Sequence, residues 1–205
     1  IANRYNKLKI LSYAVDITDE ENVIKLIKES IKKFKKIDIL INSAGKTSFG
    51  TLEDTTLESW NDIHNQNGTS AFLLCKHVVP FMKKNKFGKI VNISSIAGRF
   101  RGMTSGLSYA YTKSGLLAFT KQLSAQISKY NINVNAFCPS QTMTPMLKKL
   151  IKDSHDPKTL QNICAKIPLG RIATPSEQAN VIIFLVSDQS TYITGSFIDS
   201  NGGLY

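Results

Sequence analysis

A chain of 205 residues with 42% hydrophobic residues and a formal net charge of +11 is long enough to close one well-packed domain and short for two. No stretch approaches the roughly 18 consecutive apolar residues of a membrane span, and residues 1–9 lack the apolar run of a secretion signal, so a cytoplasmic protein is expected. The charge is mostly lysine, with arginine only at Arg4, Arg99, Arg101 and Arg171; base readout favours the arginine fork, so no nucleic-acid partner is expected.

Residues 9–14 (KILSYA) predict a short strand, and Asp16, Ile17, Thr18 and Asp19 follow with the cap chemistry that starts a helix. In that helix Val23, Ile24, Ile27, Ile31 and Phe34 form an apolar stripe, with Lys25, Lys28, Lys32 and Lys36 on the other face. Residues 38–41 (DILI) read as a strand buried on both sides, the habit of parallel sheets. A helical stretch over 60–82, a strand at 89–93 (KIVNI), a helix at 109–128 and a strand at 133–137 (NVNAF) come next. After Pro175 a helix with Ala179, Ile182, Ile183, Leu185 and Val186 on its apolar face leads to a closing strand at 196–199 (SFID).

This alternation predicts an α/β fold: one domain over residues 1–205, a doubly wound, Rossmann-like parallel sheet whose ligand sits beyond the carboxyl ends of the strands. Residues 144–168, with Pro145, Pro157 and Pro168, are the least regular and predict a flexible substrate flap. Cys75, Cys138 and Cys164 are odd in number and widely separated, and His64, His77 and His155 form no ligand-spaced cluster. Neither a disulfide framework nor a metal site is expected.

Tyr-x-x-x-Lys is weak evidence by itself, since 7 tyrosines among many lysines give about one accidental match, as at Tyr5 and Lys9. Tyr109 and Lys113 differ because they follow a strand ending in Ser94 and Ser95 and open a helix, one turn apart on one face. An ammonium about 4 Å from a phenol is worth roughly 4 kcal/mol at an effective dielectric of 20, or about three pKa units. Lys113 is therefore expected to acidify Tyr109 into a proton donor and acceptor for a carbonyl or alcohol oxygen. Ser95 is expected to orient the same oxygen, because successive strand residues face opposite ways and only one of the two serines looks into the site.

With these residues in place, the chain resembles the short-chain dehydrogenase/reductase family over nearly its whole length, most closely the 3-oxoacyl-acyl-carrier-protein reductases and related ketoreductases. Asp16, with Ile17 beside it, falls where the family contacts adenine; Asn42, Ser43, Ala44 and Gly45 resemble its Asn-Asn-Ala-Gly turn; Asn67 falls at the relay asparagine. Asn67, Ser95, Tyr109 and Lys113 then complete the implied catalytic tetrad, Lys113 also holding the nicotinamide ribose. Pro139, Thr142 and Thr144 resemble the loop that binds the nicotinamide amide, and residues 167–171 (IPLGR) and 201–203 (NGG) also fit. The resemblance implies an NADP or NAD cofactor, hydride transfer to or from a carbonyl carbon, and a homo-oligomer, either dimer or tetramer.

Ser43 and Ser140 depart from the family's asparagine and glycine, and its first βα unit with the Gly-rich phosphate loop is absent from this sequence. Gly98, Gly102 and Gly106 do not replace that loop, because they follow the Ser95 strand. We expect the molecule to carry further residues ahead of Ile1; the alternative is a truncated, non-catalytic relative. An acyl-carrier-bound ketone is the expected substrate, with a sugar or other small ketone as rival, and Lys83, Lys84, Lys86 and Lys89 form the densest basic run for an acidic carrier.

Overall fold

Every strand pairing in the sheet is parallel, and the spatial order follows the chain: β1 (Ile39–Asn42), β2 (Gly88–Ile93), β3 (Ile132–Pro139) and β4 (Phe197–Ser200). The computed structural model of the chain describes residues 9–102 and 105–205. Helices α1 (Glu20–Phe34), α2 (Leu57–His64), α3 (Ser70–Asn85), α4 (Leu107–Ile127), α5 (Pro145–Asp153), α6 (Thr159–Ala165) and α7 (Pro175–Val186) fill the connections. Alternate residues of β2 divide the core. Ile90 packs with Val134, Val23 and Ile27 of α1 and Val78 and Met82 of α3, whereas Val91 packs with Phe137 and with Leu185 of α7. Helices thus cover both faces, the doubly wound arrangement.

Helix α1 shows why the local sequence suffices for its element. The Asp19 carboxylate accepts from Asn22 N at 2.8 Å, Glu20 and Glu21 occupy the first turn, and Lys32 and Lys33 the last, all matching the helix dipole. Lys35 then ends the helix in the left-handed region at φ 71°.

The expected strand at 9–14 is not formed. The segment finds no ladder partner among the described residues and is tied down instead by Lys33 Nζ donating to Ile10 O at 2.8 Å. Among the described residues β1 is less buried than its unbroken apolar run implied: Leu40 joins the α1/α3 core, and Ile39 and Ile41 are 44% and 42% exposed. The stretch expected as one helix over 60–82 is two helices joined by a π-turn at Asn65–Thr69, a register fault of the kind found at functional sites. Residues 144–168 are more regular than their prolines suggested. Pro145 occupies the first turn of α5, where its missing N–H costs nothing, and Leu147, Ile163, Ile167 and Ile172 form a subsidiary core.

Of the basic run, Lys84 and Lys86 are exposed and Lys83 is half-buried, whereas Lys89 is withdrawn from the surface. Lys89 is only 1% exposed and its Nζ has no hydrogen-bond partner among the described residues. Lys83, Lys84 and Lys86 lie where α3 ends, at the amino end of β2, roughly 20 Å of strand from the carboxyl edge.

The turn after β2 meets α4 backbone to backbone. A Cβ on Gly98 would lie 2.6 Å from the Lys113 carbonyl carbon and 2.7 Å from its oxygen, distances that no side-chain rotation relieves. Gly98→Ala should therefore cost about 1–3 kcal/mol, measured as a lowered unfolding midpoint in denaturant; an unchanged midpoint would show that this contact does not constrain the fold.

Candidate active site

Because parallel strands end together, the segments leaving β1, β2 and β3 converge at one edge of the sheet, and α1, which runs back toward the amino end of β1, starts at that same edge. There a cleft of about 220 Å³ opens between Thr47 and Phe49 after β1, Ser95 and Ala97 after β2, Tyr109 of α4, residues 139–142 after β3, and Leu147 and Leu150 of α5.

The two serines at the end of β2 divide their duties. Ser94 is buried and its Oγ donates to Lys113 O at 2.8 Å, fastening the strand to α4. Ser95 is extended, lines the cleft, and starts the 3₁₀ turn Ile96–Gly98 by accepting from Ala97 N at 3.1 Å. On α4, Lys113 Nζ lies 5.5 Å from the centroid of the Tyr109 ring and donates to Ile93 O at 2.7 Å. Ser95, Tyr109 and Lys113 are therefore brought together, two of them on the cleft wall and the lysine behind.

Electrostatics corrects the expected tuning. Burial raises the Tyr109 phenol above its ordinary pKa, opposed only by the neighbouring Ser95 hydroxyl, and burial lowers Lys113 to about 8. Both groups lie in the interior rather than in a surface-like dielectric, and there the cost of burying charge outweighs the attraction between them.

Asn67 braces the loop after β1. Its Nδ2 donates to Lys46 O at 3.0 Å and to Thr112 Oγ1 at 3.1 Å, and its Oδ1 accepts from Lys46 N at 2.8 Å. The π-turn thereby pins the loop after β1 against α4. A Cβ on Gly45 would come 2.9 Å from Asn67 Oδ1 and 3.6 Å from Lys113 Nζ, so the glycine keeps the space in front of the ammonium open.

Other residues singled out from the sequence take mixed positions. The Asn42 side chain turns inward, donating to Asn92 Oδ1 at 2.7 Å, and Asn92 passes the contact to Thr120 Oγ1 at 2.8 Å, linking β1, β2 and α4. Ala44 and Gly45 are exposed at the edge. The Asp16 carboxylate is held by Thr18 N at 2.9 Å and Thr18 Oγ1 at 2.7 Å, bonds that keep its pKa below the usual range, and Ile17 packs on the core. Pro139, Thr142 and Thr144 line the cleft, with Thr144 also capping α5. Ser140 has no positive φ, so a side chain is accommodated there without backbone strain.

Sequence reasoning missed Ser48. Its Oγ accepts from Tyr109 N at 3.1 Å and from Ser108 Oγ at 2.8 Å, and its carbonyl accepts from Gly106 N at 2.8 Å, so a loop sixty residues away caps the helix that carries the phenol. A serine in an irregular loop carries no local signal of such a contact. The apolar wall formed by Leu147 and Leu150 had a signal, their three-residue spacing, hidden among prolines and lysines.

A family model described as Enoyl-(Acyl carrier protein) reductase matches residues 1–205. The 3-oxoacyl-[acyl-carrier-protein] reductase FabG of Thermotoga maritima is 36% identical over 196 residues, covering 96% of this chain and 77% of that protein. The acetoacetyl-CoA reductase of an Acinetobacter strain is 35% identical over 190 residues, covering 93% and 74%. Among solved structures, ElxO with NADP bound superposes with a TM-score of 0.87 at 30% identity, covering 94% of this chain and 77% of that one. With relatives of this closeness and a family match along its length, the chain belongs to the short-chain dehydrogenase/reductase family of NAD(P)-dependent oxidoreductases.

Proposed function

We propose that the chain reduces the keto group of a 3-oxoacyl thioester, carried on acyl carrier protein or coenzyme A, with NADPH as hydride donor. The observation that supports this most is the joint placement of Ser95 and Tyr109 on one cleft wall with Lys113 behind them. The names of the Thermotoga and Acinetobacter relatives favour the thioester, and the NADP held by ElxO favours the phosphorylated cofactor.

The residues present fit a dinucleotide: Gly45 leaves open space in front of Lys113 Nζ, and exposed loop residues line the carboxyl edge of a parallel sheet. Asp16 and Ile17 would take the adenine end, Asn42 through its backbone, Ala44 and Gly45 the middle, and Lys113, Tyr109, Pro139, Thr142 and Thr144 the nicotinamide end. When bound, the cofactor supplies the hydride. Ser95 Oγ holds the substrate oxygen, and Tyr109 delivers the proton to it as negative charge develops there. Phe49, Leu147 and Leu150 give the acyl chain an apolar wall. Residues 144–168, although helical, form the cleft side that closes over substrate.

In this reading the protein acts in the cytoplasm, and no described helix is long and apolar enough to cross a membrane. A second copy would cover the hollow of about 560 Å³ along α3 and α4, where Phe72 and Tyr111 are 48% and 54% exposed, giving a homodimer or tetramer.

Tyr109→Phe should lower kcat on acetoacetyl-CoA by about 10²–10⁴-fold with NADPH affinity unchanged within about twofold, followed by NADPH absorbance and by fluorescence titration. Wild-type turnover in that variant would remove the phenol from the mechanism, and preferred turnover of an enoyl thioester would replace the keto substrate. Lys113 offers a test in stability. Its folded pKa of about 8 lies below the ordinary 10.5, so the unfolded chain binds the extra proton between those values. The cost of burying the charge, of order 3 kcal/mol at most, is full below about pH 8 and fades as pH rises toward 10.5. Lys113→Met should lose activity, yet its stability relative to wild type should fall between pH 8 and 10.5; a difference independent of pH would contradict the lowered pKa.

A further inference from the structure

We infer that the β4 arm, Phe197 to Tyr205, clasps the turn behind Ser95, and that Arg99 is the positioning residue through which it acts. The inference rests on the proposed role of Ser95 and deepens it.

Ser95 is followed by one 3₁₀ turn, and Arg99 closes it with its N–H donating to Ile96 O at 3.0 Å. From there the side chain leaves the cleft. Arg99 Nη1 meets Asp199 Oδ2 at 3.1 Å and donates to Phe197 O at 3.4 Å, both on β4. The next residue repeats the connection: the Phe100 ring stacks on Tyr205 with centroids 4.5 Å apart and planes inclined by 16°, and Tyr205 Oη donates to Arg101 O at 2.8 Å. On the opposite side the turn is pressed against α4, where Ser114 Oγ donates to Gly98 O at 2.8 Å. Residues 95–101 therefore lie between the helix bearing Tyr109 and the arm bearing Asp199, and Gly102 and Ser105 just beyond line the cleft.

Half-exposed contacts of this kind add little to the stability of a whole domain. Phe100 and Tyr205 remain 43% and 53% exposed even when stacked. What such contacts do fix is the order of the short segment they touch, and that segment sets where Ser95 Oγ stands; small displacements of such a group lower turnover strongly.

The test is a double-mutant cycle. Arg99→Gln and Tyr205→Leu should each lower kcat with NADPH and acetoacetyl-CoA about tenfold, with unchanged NADPH affinity and unfolding midpoint. In a Ser95→Ala background neither should lower it further. The exchanged pair Arg99→Asp with Asp199→Arg should recover most of the loss, and Tyr205→Phe, which keeps the stack, should lose less than Tyr205→Leu. Amide hydrogen exchange at residues 96–102 should quicken in Arg99→Gln and Tyr205→Leu while α4 stays protected. The same tenfold loss persisting without the Ser95 hydroxyl would overturn the positioning role, and unaltered exchange would overturn the clasp. Exchange needs no turnover, so a wild-type protein inactive on thioesters would refute the proposed reaction while the clasp is still decided.

Discussion

The junction between the end of β2 and the middle of α4 is the contact on which the site depends. Two hydrogen bonds cross it in opposite senses, Ser94 Oγ to Lys113 O and Lys113 Nζ to Ile93 O, and Gly98 lets the backbones approach between them. The neutral bond from Ser94 is worth about 1 kcal/mol net and the one from the Lys113 ammonium about 1.5–3 kcal/mol. Their value lies in arrangement: a helix fixed to a strand end at one residue can neither slide nor rotate there, so Tyr109, one turn earlier, keeps its relation to Ser95.

A second layer of polar contacts holds this junction in the wider fold. Asn42, Asn92 and Thr120 run as a buried chain from the edge strand to α4, Asn67 ties the loop after β1 to Thr112, and Ser48 caps the start of α4. Buried polar groups are expensive unless paired, and an apolar core would serve stability as well. Here they fix register, because an amide pair is directional where a leucine contact is not. The loops that carry the site thus inherit the precision of the sheet.

Much of this was legible in the sequence, for reasons that also explain the failures. Strands β2 and β3 are short apolar runs bounded by turn residues, α1 carries its own caps and stripe, and Tyr109 and Lys113 share a helical face by spacing alone. Local chemistry decided those elements. Residues 9–14 have strand composition, but a strand exists only through its neighbour, and among the described residues this segment has none. Pro145 read as a breaker although it starts a helix. Lys89 read as surface charge although its backbone belongs to a central strand, and strand position overrode its preference for water. The Arg99 to Asp199 pair and the Ser48 cap join distant segments, so no pattern within one window revealed them.

The sign of the Tyr109 shift bears on the chemistry more than its size. A phenol held above its ordinary pKa stays protonated at neutral pH, and in the proposed reduction it would give that proton to the alkoxide-like oxygen, a far stronger base than phenolate. Lys113, with its pKa of about 8, carries its charge at neutral pH behind the ring of Tyr109.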